Sequence, residues 1–432
     1  MTPPRNLERR LGTTDAVVIG LGSMIGAGMF AVFGPAARAA GPGLLLGLFL
    51  AGAIAFCNAT SSAQLAAQYP RSGGAYVYGR ERLGAWAGFL AGSSFVLGKT
   101  ASCAAMALAF AAYVAPPGAE RPVAVVAVAG LAAVNYRGIT RTAFLTRVIV
   151  GFVLVCLVVT LVFLWTRYDA GSPAPVGGWT DIVPGSGGWG GLLQSAALLF
   201  FAFAGYARIA TMAEEVKDPA RTIPRAIGIA LPLVVLLYTV VAVTLLALLG
   251  PHALAGSTAP WADAVDLPGG AGTGIALVVR AAAAAACLGA LLALLAAVGR
   301  TSLAMARERD LPMWLAAVHP RFAVPHRAEV LLAVVVCVLV LSVDLGGAIG
   351  FSSFGVLLYY GIANLSALTQ SAGHRRYPRV LQVLGGMGCL VLAAALPWAS
   401  VAAGVAVLVL WVAGRAVRLW HDRRTGIPGP TG

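Results

Sequence analysis

The chain is 432 residues long, 59% hydrophobic and only 11% charged, with a mean hydropathy of +0.86, whereas a soluble domain is roughly 25% charged. That composition excludes an ordinary soluble enzyme and, at roughly 20 apolar residues per membrane-spanning helix, leaves room for a dozen spans joined by short loops. The net charge of +14 comes from 30 Lys plus Arg against 16 Asp plus Glu. Only Lys99 and Lys217 among those 30 are lysine, a bias that with the abundant Ala and Gly fits a GC-rich bacterial genome.

Arg9 and Arg10 ahead of the apolar run 16–32 have the outline of a signal peptide. The glycine-broken Gly22-Ser23-Met24-Ile25-Gly26-Ala27-Gly28, and the similar segments that follow, make the run a first transmembrane helix instead. Apolar stretches punctuated by Arg, Pro and Gly then predict spans over about 14–40, 43–68, 84–114, 122–135, 142–166, 190–213, 225–250, 272–305, 328–343, 348–370, 379–396 and 399–417. The fourth and ninth are short. Residues 1–12 and 421–432 read as polar or Pro/Gly-rich tails. Cys57, Cys103, Cys156, Cys287, Cys337 and Cys389 lie in apolar runs without CxxC or Cys/His spacing, so they read as small buried side chains, not as a disulfide framework or a metal site.

With the amino terminus placed inside, 24 of the basic residues fall in segments on the cytoplasmic side. Arg121 and Arg167 fall outside, and Arg38, Lys99, Arg208 and Arg280 lie within spans. This is the positive-inside pattern. Arginines spread over many loops form no single basic face, which excludes nucleic acid as a partner and leaves membrane lipid. Both termini are then cytoplasmic, and the expected location is a bacterial plasma membrane.

Three glycines in seven residues at the middle of the first span weaken helical geometry and predict an unwound segment at membrane depth. The sixth span repeats the theme with Phe200-Phe201-Ala202-Phe203-Ala204-Gly205-Tyr206-Ala207-Arg208. Irregular backbone is tolerated in a bilayer only where it lines a cavity or is otherwise satisfied, and paired interruptions at corresponding places in two halves point to a central site. Half-helix amino termini offer N–H groups and a positive dipole end to a carboxylate, while exposed carbonyls accept from an ammonium. A zwitterionic amino acid carries both groups. Tight helix packing is the competing explanation for the glycines.

These residues, with Ala40-Gly41-Pro42, resemble the first helix of the amino acid, polyamine and organocation (APC) transporters, in particular the cationic amino acid transporter branch. Tyr69-Pro70-Arg71-Ser72-Gly73-Gly74-Ala75-Tyr76-Val77-Tyr78 is similar to the signature between their second and third helices. Phe200 to Tyr206 with Glu214 to Ile227 resembles their sixth helix and following loop, and Arg300 to Pro312 the loop after their eighth. The resemblance covers about residues 13–370 in order. It implies an all-α polytopic membrane protein of about 12 transmembrane helices, an inverted 5+5 repeat (13–166 and 190–370) with broken helices one and six, and two additional helices over 378–420. It also implies alternating access and an amino acid held between the breaks. The carboxylate would meet the backbone at Gly26, Ala27 and Gly28, and the ammonium the carbonyls near Met24, Phe201 and Ala204. Ile25, Ala202 and Gly205 complete the two breaks, and Tyr206 lies beside the pocket. Where family members often supply a hydroxyl for the carboxylate, this chain has Ala27.

The sequence departs from that branch at informative points. Tyr206 is followed by Ala207 and Arg208 where an acid is usual, which argues against a cationic substrate. A third-helix Glu-Tyr pair is replaced by Gly98-Lys99, and a fifth-helix lysine linked to proton coupling aligns with Val153. Lys99, halfway along the third span, is a functional candidate by default: either it takes over the coupling function lost at Val153, or it is a structural lysine bonded to unwound carbonyls. Arg208 is a candidate for the inner gate, against snorkelling to the headgroups. Arg38 and Arg280 lie near outer span ends and read as structural, and Glu214 and Glu215 as part of a loop charge network. Sodium would need hard oxygen ligands, yet span eight has no Ser, Thr, Asp or Glu between Thr273 and Thr301.

The expected function is therefore secondary active transport of neutral amino acids, by proton symport or exchange, with no cofactor, no metal and no enzymatic chemistry. A polyamine or organic amine transporter is the alternative within the class. A channel, which would not saturate, and a membrane sensor, which would need an output domain, are the alternatives outside it.

Overall fold

The structure, a computed structural model, describes residues 11–70, 73–138, 143–166, 187–206, 208–209, 216–266 and 273–425; Ala207, Glu214 and Glu215 lie outside these residues. In chain order the helices are α1 (Thr13–Met24), α2 (Ala27–Ala31), α3 (Phe33–Ala40), α4 (Leu44–Gln68), α5 (Ala75–Leu83), α6 (Ala85–Val114), α7 (Glu120–Tyr136) and α8 (Ala143–Thr166). They continue with α9 (Gly188–Phe203), α10 (Pro219–Gly256), α11 (Pro260–Val265), α12 (Thr273–Arg307), α13 (His326–Ser342), α14 (Leu345–Leu368), α15 (Arg379–Ala395) and α16 (Trp398–Thr425). Among the described residues there is no strand, only one isolated bridge between Leu11 and Val216.

Each expected span falls on a helix. Among the described residues nine segments are long and apolar enough to cross a membrane. The other three, the fourth, ninth and eleventh, are the 17-residue helices α7, α13 and α15, about 25 Å long at 1.5 Å per residue and at the short end of what a bilayer requires. The seventh span was expected to end at 250; there Gly250 takes φ 72°, ψ 165°, the helix bends, and its last turn runs on to Gly256. The sixth span is interrupted as expected: regular helix stops at Phe203, a 3₁₀ turn covers Ala204–Tyr206, residues 208 and 209 are helical again, and the expected end at 213 lies outside the described residues.

Helix pairing follows a shift of five spans. α6 packs on α14 as α12 packs on α8, α4 on α9 as α10 on α1, and α13 on α6 as α12 on α7. Because five is odd, the shifted half crosses the layer in the opposite direction. At the start of α1 the Gly12 amide donates to the Asp15 carboxylate at 3.0 Å, the reciprocal half of a capping box. The same carboxylate pairs with Arg147 of α8.

The two loop signatures meet in space. Gly74 (φ 55°) and Gly84 (φ 97°) turn the chain into and out of α5, in the left-handed region that glycine enters without steric cost. That places the Tyr76 hydroxyl 2.9 Å from the Asp310 carboxylate and Arg80 3.4 Å from it. Arg415 of α16 approaches Asp310 to 2.8 Å, both side chains being buried. Its guanidinium stacks 4.7 Å from the Trp86 ring and 4.5 Å from Phe89. Arg418 donates to the Asp310 carbonyl at 2.8 Å. Burial is the largest influence on the Asp310 carboxyl and raises it above its ordinary value, against the lowering effects of Arg415, the Tyr76 hydrogen bond, Arg80 and Arg418. This hub ties α5, the loop after α12 and α16 together on the arginine-rich face.

Removing one member of a buried ion pair strands the other. Asp310→Ala is expected to destabilise the protein by about 3–5 kcal/mol, seen as a lowered midpoint of thermal unfolding in detergent. Glu308→Ala, at a half-exposed carboxylate paired with Arg80, is expected to cost at most about 1 kcal/mol.

Candidate substrate site at the helix breaks

α1 ends at Met24. Ile25 turns extended (φ −78°, ψ 98°), Gly26 is extended as well (φ −164°), and helix resumes at Ala27. The Gly26 carbonyl accepts from the amides of Met29 (3.0 Å) and Phe30 (3.2 Å). Among the described residues the amides of Gly26 and Gly28 donate to nothing, as first-turn amides do when no cap is supplied. A Cβ on Gly26 would lie 3.2 Å from both the Met106 sulfur and the Ala290 methyl, so α6 and α12 pack tightly against the break.

The two interruptions are in direct contact. A Cβ on Gly205 would overlap the Ser23 carbonyl and stand 2.6 Å from the Met24 nitrogen, and one on Gly28 would stand 2.7 Å from the Ala202 Cα. Met24, Ile25, Gly26, Gly28, Phe201, Ala202, Ala204 and Tyr206 are all buried, with Gly205 half-buried beside them. The expected site residues of both breaks are thus brought together.

Carbonyls released by unwinding find donors on neighbouring helices. The Tyr238 hydroxyl of α10 lies 2.7 Å from the Met24 carbonyl and 3.1 Å from that of Ala202, so it serves one acceptor from each break. The Ala204 carbonyl accepts from Lys99 Nζ at 3.4 Å and from the Tyr360 hydroxyl at 3.3 Å. Tyr206 stacks on Tyr360 with centroids 4.8 Å apart and planes at 24°, and Phe200 meets the same ring edge-on. Lys99 therefore touches a backbone carbonyl of the sixth-span break, while Val153, the aligned position on α8, is buried in an apolar wall. That wall, with Gly22, Ile25, Ala286 and Ala290, lines a cavity of about 20 Å³, room for one water-sized body.

Tyr238, Tyr360 and Met106 escape a sequence reading, since a tyrosine or methionine in an apolar span looks like ordinary core. The signal that was present is positional: Tyr360 and Tyr238 lie at mid-depth, where a hydroxyl needs a partner.

The other cations differ in kind. Arg38 donates twice to the Ala255 carbonyl, at 3.1 Å from both nitrogens, and so caps the end of α10. Arg280 is exposed. Arg208 is half-buried just past the 3₁₀ turn, next to residues outside those described.

Above the breaks, Trp261 of α11 is buried and donates through its indole to the Met29 carbonyl at 3.3 Å, while Tyr113 donates to the Phe30 carbonyl at 2.7 Å. A second cavity beside Trp261 and Phe30 measures about 10 Å³. Neither cavity admits an amino acid, so entry requires these elements to move.

Backbone contact between the breaks sets a strict size limit. Gly205→Ala is expected to lower thermal stability and abolish transport, because the added methyl meets main chain that cannot yield. Gly228→Ala, on α10 with open space around it, is expected to be neutral or stabilising by up to about 1 kcal/mol. Unfolding midpoints in detergent for the two variants check the contrast.

Comparison with known proteins agrees with this geometry. A family model described as amino acid permease matches residues 11–418. An uncharacterised transporter of Mycobacterium tuberculosis is 57% identical over 98% of this chain and 94% of its own length. The branched-chain amino acid permease BcaP of Bacillus subtilis is 25% identical over 97% of this chain and 94% of its own. Cationic amino acid transporter 7 of Arabidopsis thaliana is 28% identical over 83% of this chain and 65% of its own. The family and these relatives are transporters and permeases, not enzymes. With two broken helices meeting at the centre of an all-α membrane bundle, and a family match from end to end, the chain belongs to the amino acid permease family of the APC superfamily and serves membrane transport of amino acids.

Proposed function

We propose that the protein is a secondary transporter of neutral amino acids, working by alternating access with proton symport or exchange in a bacterial plasma membrane, termini on the cytoplasmic side. The observation that carries this is the direct contact of the two unwound segments, Gly205 on Ser23 and Met24 and Gly28 on Ala202, with the Gly26 and Gly28 amides open to a carboxylate. The five-span shift in helix pairing supports halves over 13–166 and 190–370, with 378–420 added outside them. Hinging of α1 and α9 at their breaks would expose the site to each face in turn.

Several features support the finer assignments. Around the sixth-span break the sequence offers Ala207 and Arg208 and no acid, which disfavours amines and cationic side chains, and one relative is named for branched-chain substrates. The wall at Val153, Ala286 and Ala290 holds no carboxylate, and Thr146 is the one hydroxyl among the residues lining its cavity, a sparse set of hard oxygen ligands for sodium. Lys99, facing the Ala204 carbonyl, is the coupling candidate, and Arg208 the inner-gate candidate. The arginine-rich loops support a cytoplasmic assignment for the face that carries the Asp310 hub.

Thermal stabilisation of the purified protein across a panel of amino acids, followed by uptake into proteoliposomes under imposed pH or sodium gradients, tests the assignment. Stabilisation by neutral amino acids and saturable uptake driven by pH or by internal substrate are expected. Uptake driven by sodium alone, or stabilisation confined to polyamines, would overturn it. Lys99→Gln is expected to abolish pH-driven accumulation; full retention would remove Lys99 from coupling.

A further inference from the structure

Buried polar side chains of α4, α14 and α15 are spaced along the helices between the Lys99 end of the site and the arginine-rich face. This column begins at the Ala204 carbonyl, which Lys99 and the Tyr360 hydroxyl share. One turn on, Asn364 donates to the Tyr360 carbonyl at 2.9 Å and to the Asn58 side-chain oxygen at 2.6 Å. Ser61 donates to Asn364 at 2.7 Å, and Asn58 to the Cys389 sulfur at 3.3 Å. Below them stand Gln64 on α4 and Gln382 on α15. At 1.5 Å per residue each lies about 10 Å beyond the Asn58–Cys389 contact along its own helix, at a common depth. The Gln64 side-chain oxygen accepts from the backbone amides of Arg376 and Tyr377 at 3.3 Å, and Gln370 donates to Gln68 at 2.6 Å, which brings the column to the surface.

Asn58, Ser61, Gln64, Asn364 and Gln382 are all at 0% exposure. A helix interface in lipid needs only small residues to close, and buried amides are costly there unless bonded, so a polar stripe of this length calls for a use. Interhelical hydrogen bonding accounts for Asn58, Ser61 and Asn364. It does not account for Gln382, whose side-chain oxygen and nitrogen both lack a partner among the described residues, nor for the Gln64 nitrogen and Gln370 oxygen, likewise unpartnered among them. Those open valences fall, by position along their helices, between the bonded amides and the surface, and each suits a bonded water molecule.

We propose that this column is a hydrated proton path joining Lys99 to the arginine-rich face, so that Lys99 exchanges its proton with that side of the membrane through α4, α14 and α15. The inference rests on the transporter assignment above. One proton leaves the Lys99 ammonium, which becomes the neutral amine, and appears in solvent beside Arg376; the return half of the cycle restores one proton to Lys99 from the opposite face. The groups able to trade protons with Lys99 are Tyr360 from α14, Tyr206 stacked on it from the turn after α9 and Cys103 on its own helix. The one titratable side chain of α1 and α2, Asp15, is held by Arg147, and of those on α12, Cys287 lies near Tyr113 while Arg280, Arg300 and Arg307 are exposed.

Substrate counterflow and pH-driven net uptake in proteoliposomes separate this path from the site itself. Gln382→Leu removes a side chain that bonds to nothing and preserves its bulk, so the fold is expected to hold and counterflow to remain as in wild type. Accumulation driven by a pH gradient is expected to fall about tenfold or more, the scale of losing a proton relay, and Gln382→Asn to restore most of it. Gln64→Met also removes the acceptor of the Arg376 and Tyr377 amides, so its stability is expected to fall, with pH-driven accumulation reduced by a larger factor than counterflow. Undiminished pH-driven accumulation in both apolar variants would overturn the path, as would an equal loss of counterflow and accumulation, which marks a structural role. Wild-type counterflow without any pH-driven accumulation would overturn the path while leaving the transporter assignment standing. Absence of counterflow for every amino acid in the wild type would sink that assignment and the path with it.

Discussion

A peptide group in hydrocarbon must be bonded, and an interrupted helix leaves several that are not. The whole centre of this molecule answers that constraint. Two helices unwind at the same depth and press their backbones together, and donors from three other helices meet the freed carbonyls. Tyr238 serves Met24 and Ala202, and Tyr360 and Lys99 serve Ala204. Acceptors are thereby filled from within, whereas the amides of Gly26 and Gly28 stay open. The cradle is therefore polarised, with donors on the α2 side and a lysine at the far end, and its unmet demand is for an anionic group.

The same economy separates scaffold from moving parts. The ionic hub at Asp310 lies on one face and holds the two loop signatures to α16, far from the breaks in sequence and bonded through buried charge. At the other face Trp261 and Tyr113 occupy carbonyls at the end of α2 with single hydrogen bonds. At the amino terminus one bridge joins Leu11 to Val216. A buried pair is expensive to break, while a single hydrogen bond has a net worth of roughly 1 kcal/mol. The contacts beside the breaks are thus weaker than those of the Asp310 hub.

Lys99 is a buried cation with a backbone partner in the sixth-span break. Its bond to the Ala204 carbonyl is the structural role weighed from the sequence, and it satisfies a group that would otherwise be orphaned. The bond also places the one lysine of the bundle's interior at the junction of the site and the polar stripe of α4, α14 and α15.

Composition, hydropathy and arginine placement were enough to establish an all-helical membrane protein, because bilayer thickness fixes how many apolar residues a span must contain. The glycines at 22, 26 and 28 and the aromatic run to Tyr206 marked both breaks, because an interruption in lipid is visible as residues that a buried helix would otherwise avoid. What no residue pattern disclosed was which side chain meets which carbonyl. Tyr238, Tyr360 and Met106 sit in apolar runs and read as core, Arg415 reads as a topology charge although it is buried on Asp310, and the glutamines and asparagines of three separate helices become one column only when α4, α14 and α15 pack. Such pairings depend on helix rotation and register, set by contacts hundreds of residues apart, and only the folded bundle decides them.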